Sequence, residues 1–349
     1  MSRTEPVEPA WCCYALDRVE RLRDHLAAGR TLYAVRDDGQ GGRHWQAVAC
    51  GDPEPFAADR EPPAFSAKPF FFAEREALFR FDGERFVACM PAVEPQALFG
   101  LHACDLTAIA YQDRFFAADP HYRARRAATL LVGIDCRHSC AQGFCSLVDS
   151  GPAVRAGMAD LVLLPGADGW RLLVDSPAGA AAIDGLALAE SAGDWPAERA
   201  ANERRVACEQ GDGEWLRAGV AAIEAGQVDA TTWDSLGLRC LVCSGCTSVC
   251  PTCSCFAPLQ RALPGGAVQS ERVWDSCLYE GFQKEASGHN PSAAPGQRVQ
   301  RFWQHKFGAG FRREFGRFGC VGCGRCDRVC PGGIGVHAVM HKVGKPCSN

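Results

Sequence analysis

Two runs of cysteine carry the clearest chemistry in this 349-residue chain. Cys240, Cys243, Cys246 and Cys250, the last followed by Pro251, are spaced C-x2-C-x2-C-x3-C-P. Cys320, Cys323, Cys326 and Cys330, followed by Pro331, repeat that spacing without change. Three thiolates at this spacing let one tight loop reach three corners of a [4Fe–4S] cubane, and the fourth cysteine of each run serves the other cluster. The expected ligand sets are therefore Cys240, Cys243, Cys246 with Cys330, and Cys320, Cys323, Cys326 with Cys250. Gly245, Gly322 and Gly324 offer the backbone freedom that such wrapping asks for. The competing reading is a zinc-stabilised interaction scaffold with no redox role. Structural zinc prefers C-x2-C pairs drawn from separated segments to close one tetrahedron. A triplet with a Cys-Pro, seen twice, fits that badly.

Cys104, Cys136, Cys140 and Cys145 form a second constellation. Cys104 and Cys136 each follow a short apolar run, at 98–101 and 129–134. If those runs are neighbouring strands of one sheet, both thiols emerge at the same edge. Cys140 and Cys145 then lie on the loop that follows, where Gly143 allows a bend, and a third [4Fe–4S] cluster closes at small entropic cost. The alternative is a set of buried thiols that only pack. Cys253, Cys255 and Cys277 carry the same two readings, as packing beside the clusters or as extra ligands. Cys12, Cys13, Cys50, Cys89, Cys208 and Cys347 have no ligand spacing and read as plain thiols. His102, His121 and His138 read as ordinary hydrogen-bonded histidines. Arg123, Arg125 and Arg126 read as a solvated or partner-facing patch.

These residues need elements to hold them. Residues 15–28 have a helical apolar stripe, 31–35 and 45–49 read as strands, and 78–88 is a hairpin across Asp82-Gly83. A further hairpin is expected at 161–164 and 170–174, and helices at 178–190, 198–226, 277–286 and 300–307. Beyond about residue 230 lie 12 of the 21 cysteines. The expected division is 1–229, a mixed α/β unit, and 230–349, a helical two-cluster ferredoxin unit, an α+β chain overall.

Composition narrows the class. Net charge is −4 at 47% hydrophobic residues, which marks neither a nucleic-acid binder nor a membrane-surface protein. The first residues have no apolar run suited to a signal peptide, and no segment reaches the roughly 20 apolar residues of a spanning helix. A cytoplasmic protein with reduced, metal-binding thiols is expected. GQGG at 39–42 lacks the helix and lysine of a nucleotide loop. With no nucleophile–base motif either, no catalytic residue is expected, and the chain is not expected to turn over a substrate alone.

Several stretches carry a specific resemblance: CPTCSCF at 250–256, RVWDSC at 272–277, GHN at 288–290, HKF at 305–307 and FGCVGCGRCDRVCP at 318–331. Upstream, KPFFFAERE at 68–76, GLHACDLTAI at 100–109, DPHYRARR at 119–126 and the Cys136–Cys145 region continue it. The chain resembles the beta subunit of cytoplasmic sulfhydrogenases, the NAD(P)-linked [NiFe] hydrogenases, from about residue 65 onward. The A subunit of anaerobic sulfite reductases is similar to it as well. The resemblance implies an electron relay between a flavin subunit that binds NAD(P)H and the catalytic metal subunits. Its alternative is electron input to a sulfite or other sulfur-compound reductase. Gly335 departs from the pattern, standing where such proteins often have an acidic residue.

Overall fold

The computed structural model describes residues 11–56, 61–166, 169–191 and 193–345; Cys347 lies outside them. The first elements in chain order are β1 (Cys12–Leu16), α1 (Val19–Ala27), β2 (Thr31–Asp37), β3 (Arg43–Val48), β4 (Arg75–Phe81) and β5 (Phe86–Ala88). Next come β6 (Gln96–His102), α2 (Ala103–Phe115), α3 (Pro120–Ala127), β7 (Thr129–Ile134), β8 (Leu161–Gly166), β9 (Gly169–Val174) and α4 (Pro177–Ala182). Then follow α5 (Trp195–Glu209), α6 (Glu214–Glu224), α7 (Ala230–Gly237), α8 (Gly245–Val249), β10 (Phe256–Ala262) and β11 (Val268–Trp274). The last are α9 (Pro295–Phe307), α10 (Ala309–Phe315), α11 (Arg325–Val329) and α12 (Val336–Val343).

Strands covered on both faces read as unbroken apolar runs, and Thr129–Ile134 is buried at every position. It forms part of a seven-stranded sheet of order β1-β9-β8-β7-β6-β2-β3. Strands β2, β6, β7 and β8 run parallel, while β3, β9 and β1 are antiparallel to their neighbours. Leu130, Val132 and Ile134 of β7 point into one core with Phe99 and with Leu22 of α1. Leu131 points into the other, with Leu98, Leu101, Phe71 and Phe72. The alternation of a pleated strand thus builds two layers from one sequence run.

In the second half, α6, α7, α9 and α12 close around Leu216, Val220, Trp233, Leu236, Val299, Trp303, Val339 and Met340. The α+β class with a helical C-terminal half is as expected from the sequence. A second sheet, β10-β11-β4-β5, joins strands from both sides of residue 230, with β11 antiparallel to β4. Among the described residues no helix is long and apolar enough to cross a membrane.

Some expected helices are shorter or absent. Residues 277–286 hold only a single 3-10 turn, Glu280–Gln283. The segment expected at 178–190 stops after Ala182, because the chain reverses through Gly185 at φ 81°. The stretch 198–226 is two helices, broken where Gly211 and Gly213 take positive φ. Residue 15 belongs to β1, and the helix starts only at Val19. The β10–β11 hairpin was not legible as strands. Its Pro258 is tolerated because β10 is an edge strand.

Candidate metal centres

The two cysteine runs fold into near-copies of one turn. Each triplet leads into a five-residue helix, α8 or α11, and the fourth cysteine ends that helix. Both turns need positive φ at the same two places. In the second run these are Gly322 (64°) and Gly324 (67°); in the first they are Val242 (53°) and Ser244 (58°). Gly245, expected to supply this freedom, lies in α8, and the two residues before and after Cys243 supply it instead.

Cys240, Cys243, Cys246 and Cys330 line one cavity, walled by Leu241, Leu278, Val299, Phe302, Trp303 and Ile334. The fourth thiol therefore comes from the other run, as the crossed pattern requires. Cys243 is exposed, and Leu241 beside it is 67% exposed, so this group opens to the surface. Cys250 sits with Cys320 and Cys323, and Cys326 with Cys320 and Cys323, close enough for each thiol to feel the others' charge.

The N-terminal four also converge. β6 and β7 are adjacent and parallel, with His102 opposite Ile134. Cys104 in the first turn of α2 and Cys136 just past β7 therefore leave the same edge, at the carboxyl ends where open α/β sheets place their ligands. Cys104, Cys136, Cys140 and Cys145 line a single cavity with Cys323, Gly322, His102 and His138. Gln210 donates from Nε2 to Cys145 Sγ at 3.3 Å. Phe144 N donates to Gly322 O at 2.8 Å, so this loop lies directly on the second run.

Burial, then neighbouring charge, raises Cys104 and Cys136 well above an ordinary thiol, and burial pushes Cys140, Cys246 and Cys320 up to about 12. Crowded buried thiols hold their protons until a metal displaces them. Cys250 is an exception, as is Cys255, which the Cys277 thiol and Lys306 hold at about 6 against burial. The Cys253 thiol beside Cys250 and the Lys306 ammonium hold Cys250 well below the usual value, against the opposing effect of burial. Among the described residues no three His, Cys, Asp or Glu side chains close on one ion position. Thiols arranged around a shared cavity suit a cubane, with its four separated irons.

The remaining cysteines divide. Cys253 and Cys277 are buried in the helical core, Cys253 facing Cys250 and Cys277 facing the half-buried Cys255. Cys12, Cys50 and Cys208 are exposed. His121 is not in the lining of the cavity of the N-terminal thiols, and its Nδ1 lies 3.0 Å from Glu76 Oε2. Arg125 is not part of a solvated patch: it donates to the same buried carboxylate at 2.7 Å.

A family model for the 4Fe-4S dicluster domain matches residues 239–334, which contain all eight cysteines of the two runs. Among curated proteins, Sulfhydrogenase 2 subunit beta of Pyrococcus furiosus is 26% identical over 280 residues, covering 79% of this chain and 82% of that one. The chain is a homologue of that subunit. No solved structure matches significantly.

The likeness to that beta subunit extends well upstream of the dicluster domain, into the half that holds Cys104, Cys136, Cys140 and Cys145. The departure at Gly335 has a local reason: a Cβ there would lie 2.3 Å from Asp327 Oδ1, the carboxylate that accepts from His337 N at the start of α12. Sequence reasoning missed the buried charges around the thiols. Lys68 and Lys306 stand inside quoted motifs, KPFF and HKF, but only the fold brings them together. Arg325 and Asp105 each neighbour a cysteine in sequence, and their 220-residue separation concealed their pairing.

Proposed function

We propose that this chain relays single electrons through three [4Fe–4S] clusters within a multi-subunit, NAD(P)-linked [NiFe] hydrogenase. The proposed ligands are Cys240, Cys243, Cys246 and Cys330; Cys320, Cys323, Cys326 and Cys250; and Cys104, Cys136, Cys140 and Cys145. When bound, such clusters supply one-electron chemistry with no bond made or broken. The residues of the chain would enclose them and fix their neighbours. The observation that carries this reading is the crossed convergence: Cys330 lines the cavity of the first triplet, while Cys250 joins the second.

The order of the groups supports a linear path. Cys323 belongs to the proposed middle set and also lines the N-terminal cavity, whereas the Cys240 set opens to solvent. One end then faces a flavin subunit that binds NAD(P)H and the other the catalytic metal subunits, in a cytoplasmic complex. The dicluster unit begins near residue 230 and the N-terminal unit carries the third cluster.

Anaerobic iron and sulfide analysis tests the ligands. The wild type should hold about twelve irons per chain, four per cluster. Cys140→Ala and Cys145→Ala should each lose about four while the EPR signals of the other two clusters persist. A colourless, zinc-loaded chain would refute the proposal. Co-purification from the native cell should bring a flavin subunit and a nickel subunit; a sirohaem subunit instead would move the chain to a different complex.

A further inference from the structure

Lys306, in the last turn of α9, is 5% exposed. Its Nζ donates to Thr252 Oγ1 at 2.8 Å and to Cys250 Sγ at 3.5 Å. The Thr252 hydroxyl donates onward to Gly319 O at 2.7 Å, the residue before Cys320. One ammonium thereby ties the end of the first cysteine run to the start of the second. Lys68 approaches from the other half of the molecule, 6% exposed. Its Nζ donates to Thr247 O at 3.1 Å and lies 3.7 Å from the centre of the Trp274 ring. Thr247 is on α8, between Cys246 and Cys250.

A buried ammonium needs a counter-charge. Among the described residues no carboxylate pairs with either lysine. The groups around them that can carry negative charge are the thiols of Cys250, Cys253, Cys255 and Cys320 and the phenol of Tyr111, whose proton burial holds on to. The cavity of the surface group contrasts with this: its lining besides the thiols is mostly leucine, valine, phenylalanine, tryptophan and isoleucine, with Ser244, Pro331 and Gly332 and no lysine. The cation that acts on its Cys240 is Arg298, which donates to Ser292 O and Ala293 O.

We propose that Lys306 sets the reduction potential of the cluster held by Cys250, Cys320, Cys323 and Cys326, making the middle site the electron sink of the path. This rests on the ligand sets proposed above. Reduction adds one negative charge to a cluster and its ligand sulfurs. A fixed cation donating to one of those sulfurs favours the more negative state, and in a dry surrounding it is weakly screened. The step moves one electron: the neighbouring cluster is oxidised by one, the middle one reduced by one, and Lys306 keeps its proton. Lys68 adds charge at one remove, through the backbone of α8.

The test is an EPR-monitored redox titration of the anaerobic full-length chain as wild type, Lys306→Met, Lys306→Gln and Lys306→Arg. With iron content unchanged, Met and Gln should lower one midpoint by at least about tenfold in the reduction equilibrium, 59 mV for one electron. The other midpoints should stay in place, and Arg should restore most of the shift. A merely structural lysine would change iron content or every signal together. If Lys306→Met loses its cluster, the Gln and Arg variants carry the comparison. Unmoved midpoints in Gln, or an Arg variant shifted as far as Gln, would overturn the inference. A wild type short of iron at these four cysteines would defeat the ligand assignment first, before any potential is measured.

Discussion

Arg325 is the largest side chain among those with essentially no exposed surface, and it joins the two halves of the molecule. Its Nη1 and Nη2 donate to the two oxygens of Asp105 at 2.7 and 2.8 Å, and Nε donates to Pro63 O at 2.9 Å. Arg325 lies between Cys323 and Cys326; Asp105 follows Cys104. Replacing Arg325 with Met leaves a carboxylate of 2% exposure without its cation. Breaking a buried pair from one side costs about 3–5 kcal/mol, whereas replacing both partners with apolar groups is often neutral. At about 2 °C per kcal/mol for a chain of this size, Arg325→Met should melt about 6–10 °C lower. Arg325→Met combined with Asp105→Leu should recover most of that. The assay is anaerobic thermal unfolding at one scan rate, since loss of clusters makes unfolding irreversible. Because the pair also holds Cys104 beside Cys323, the single variant should lose iron from the N-terminal site first. A single variant melting within about 2 °C of wild type, or a double variant as unstable as the single, would refute the reasoning.

Three further outcomes follow from the same geometry. Gly322→Ala should displace the Cys140–Cys145 loop, because the new Cβ would lie 2.6 Å from Phe144 C and 2.7 Å from Cys145 N; iron analysis should then find about four atoms missing. Val242→Gly at the matching position of the first run should raise stability by about 1 kcal/mol, since a branched residue there sits in the left-handed region; a melting curve with unchanged iron content checks it. Glu76 receives Arg272 at 2.5 Å and Arg125 at 2.7 Å. Burial pushes its carboxyl up, but the two guanidiniums outweigh this and hold it below the usual range. A depressed folded value gives stability that is full above about pH 4.5 and lost as pH falls through the lowered value. The advantage of wild type over Glu76→Gln in denaturant unfolding should therefore shrink as the solution is taken from about pH 6 toward about pH 3.

The thiol groups were the most legible part of the chain because their spacing is a local property. Three thiols within seven residues need no knowledge of the fold. The N-terminal group needed one fold-level assumption, that the runs ending before Cys104 and Cys136 are neighbours, and two short unbroken apolar runs, each followed by a cysteine, made it available. The β10–β11 hairpin was hidden because β10 is a mostly exposed edge strand interrupted by Pro258, and β11, though internal, carries Gln269, Ser270, Glu271 and Arg272 in place of an apolar run. The 277–286 stretch misled for the opposite reason: helix-like composition, but turns hydrogen-bonded through Ser276, Tyr279 and Gly281. The buried charges could not be read at all. Lys68 and Lys306 are 238 positions apart in sequence, and nothing in either local run says that its ammonium will be sealed from water.

The two cysteine runs share their spacing but not their surroundings, and their turn residues register the difference. In the second run the positive-φ positions must be glycine for two reasons. The backbone conformation favours it, and the 140–145 loop leaves no room, since a Cβ on Gly324 would lie 2.3 Å from Gln142 O. In the first run the same backbone positions carry Val242 and Ser244, tolerated because this turn faces outward, where the Tyr279 hydroxyl donates to Ser244 Oγ at 2.7 Å. Side chains are thus excluded where another thiol group must approach and admitted where the turn meets the surface. On the proposed ligand sets, the glycines of the second run belong to the internal member of the series, and the valine and serine of the first to the terminal one. That asymmetry fits a path whose middle site is enclosed by buried lysines and whose outer site is left open beside Leu241.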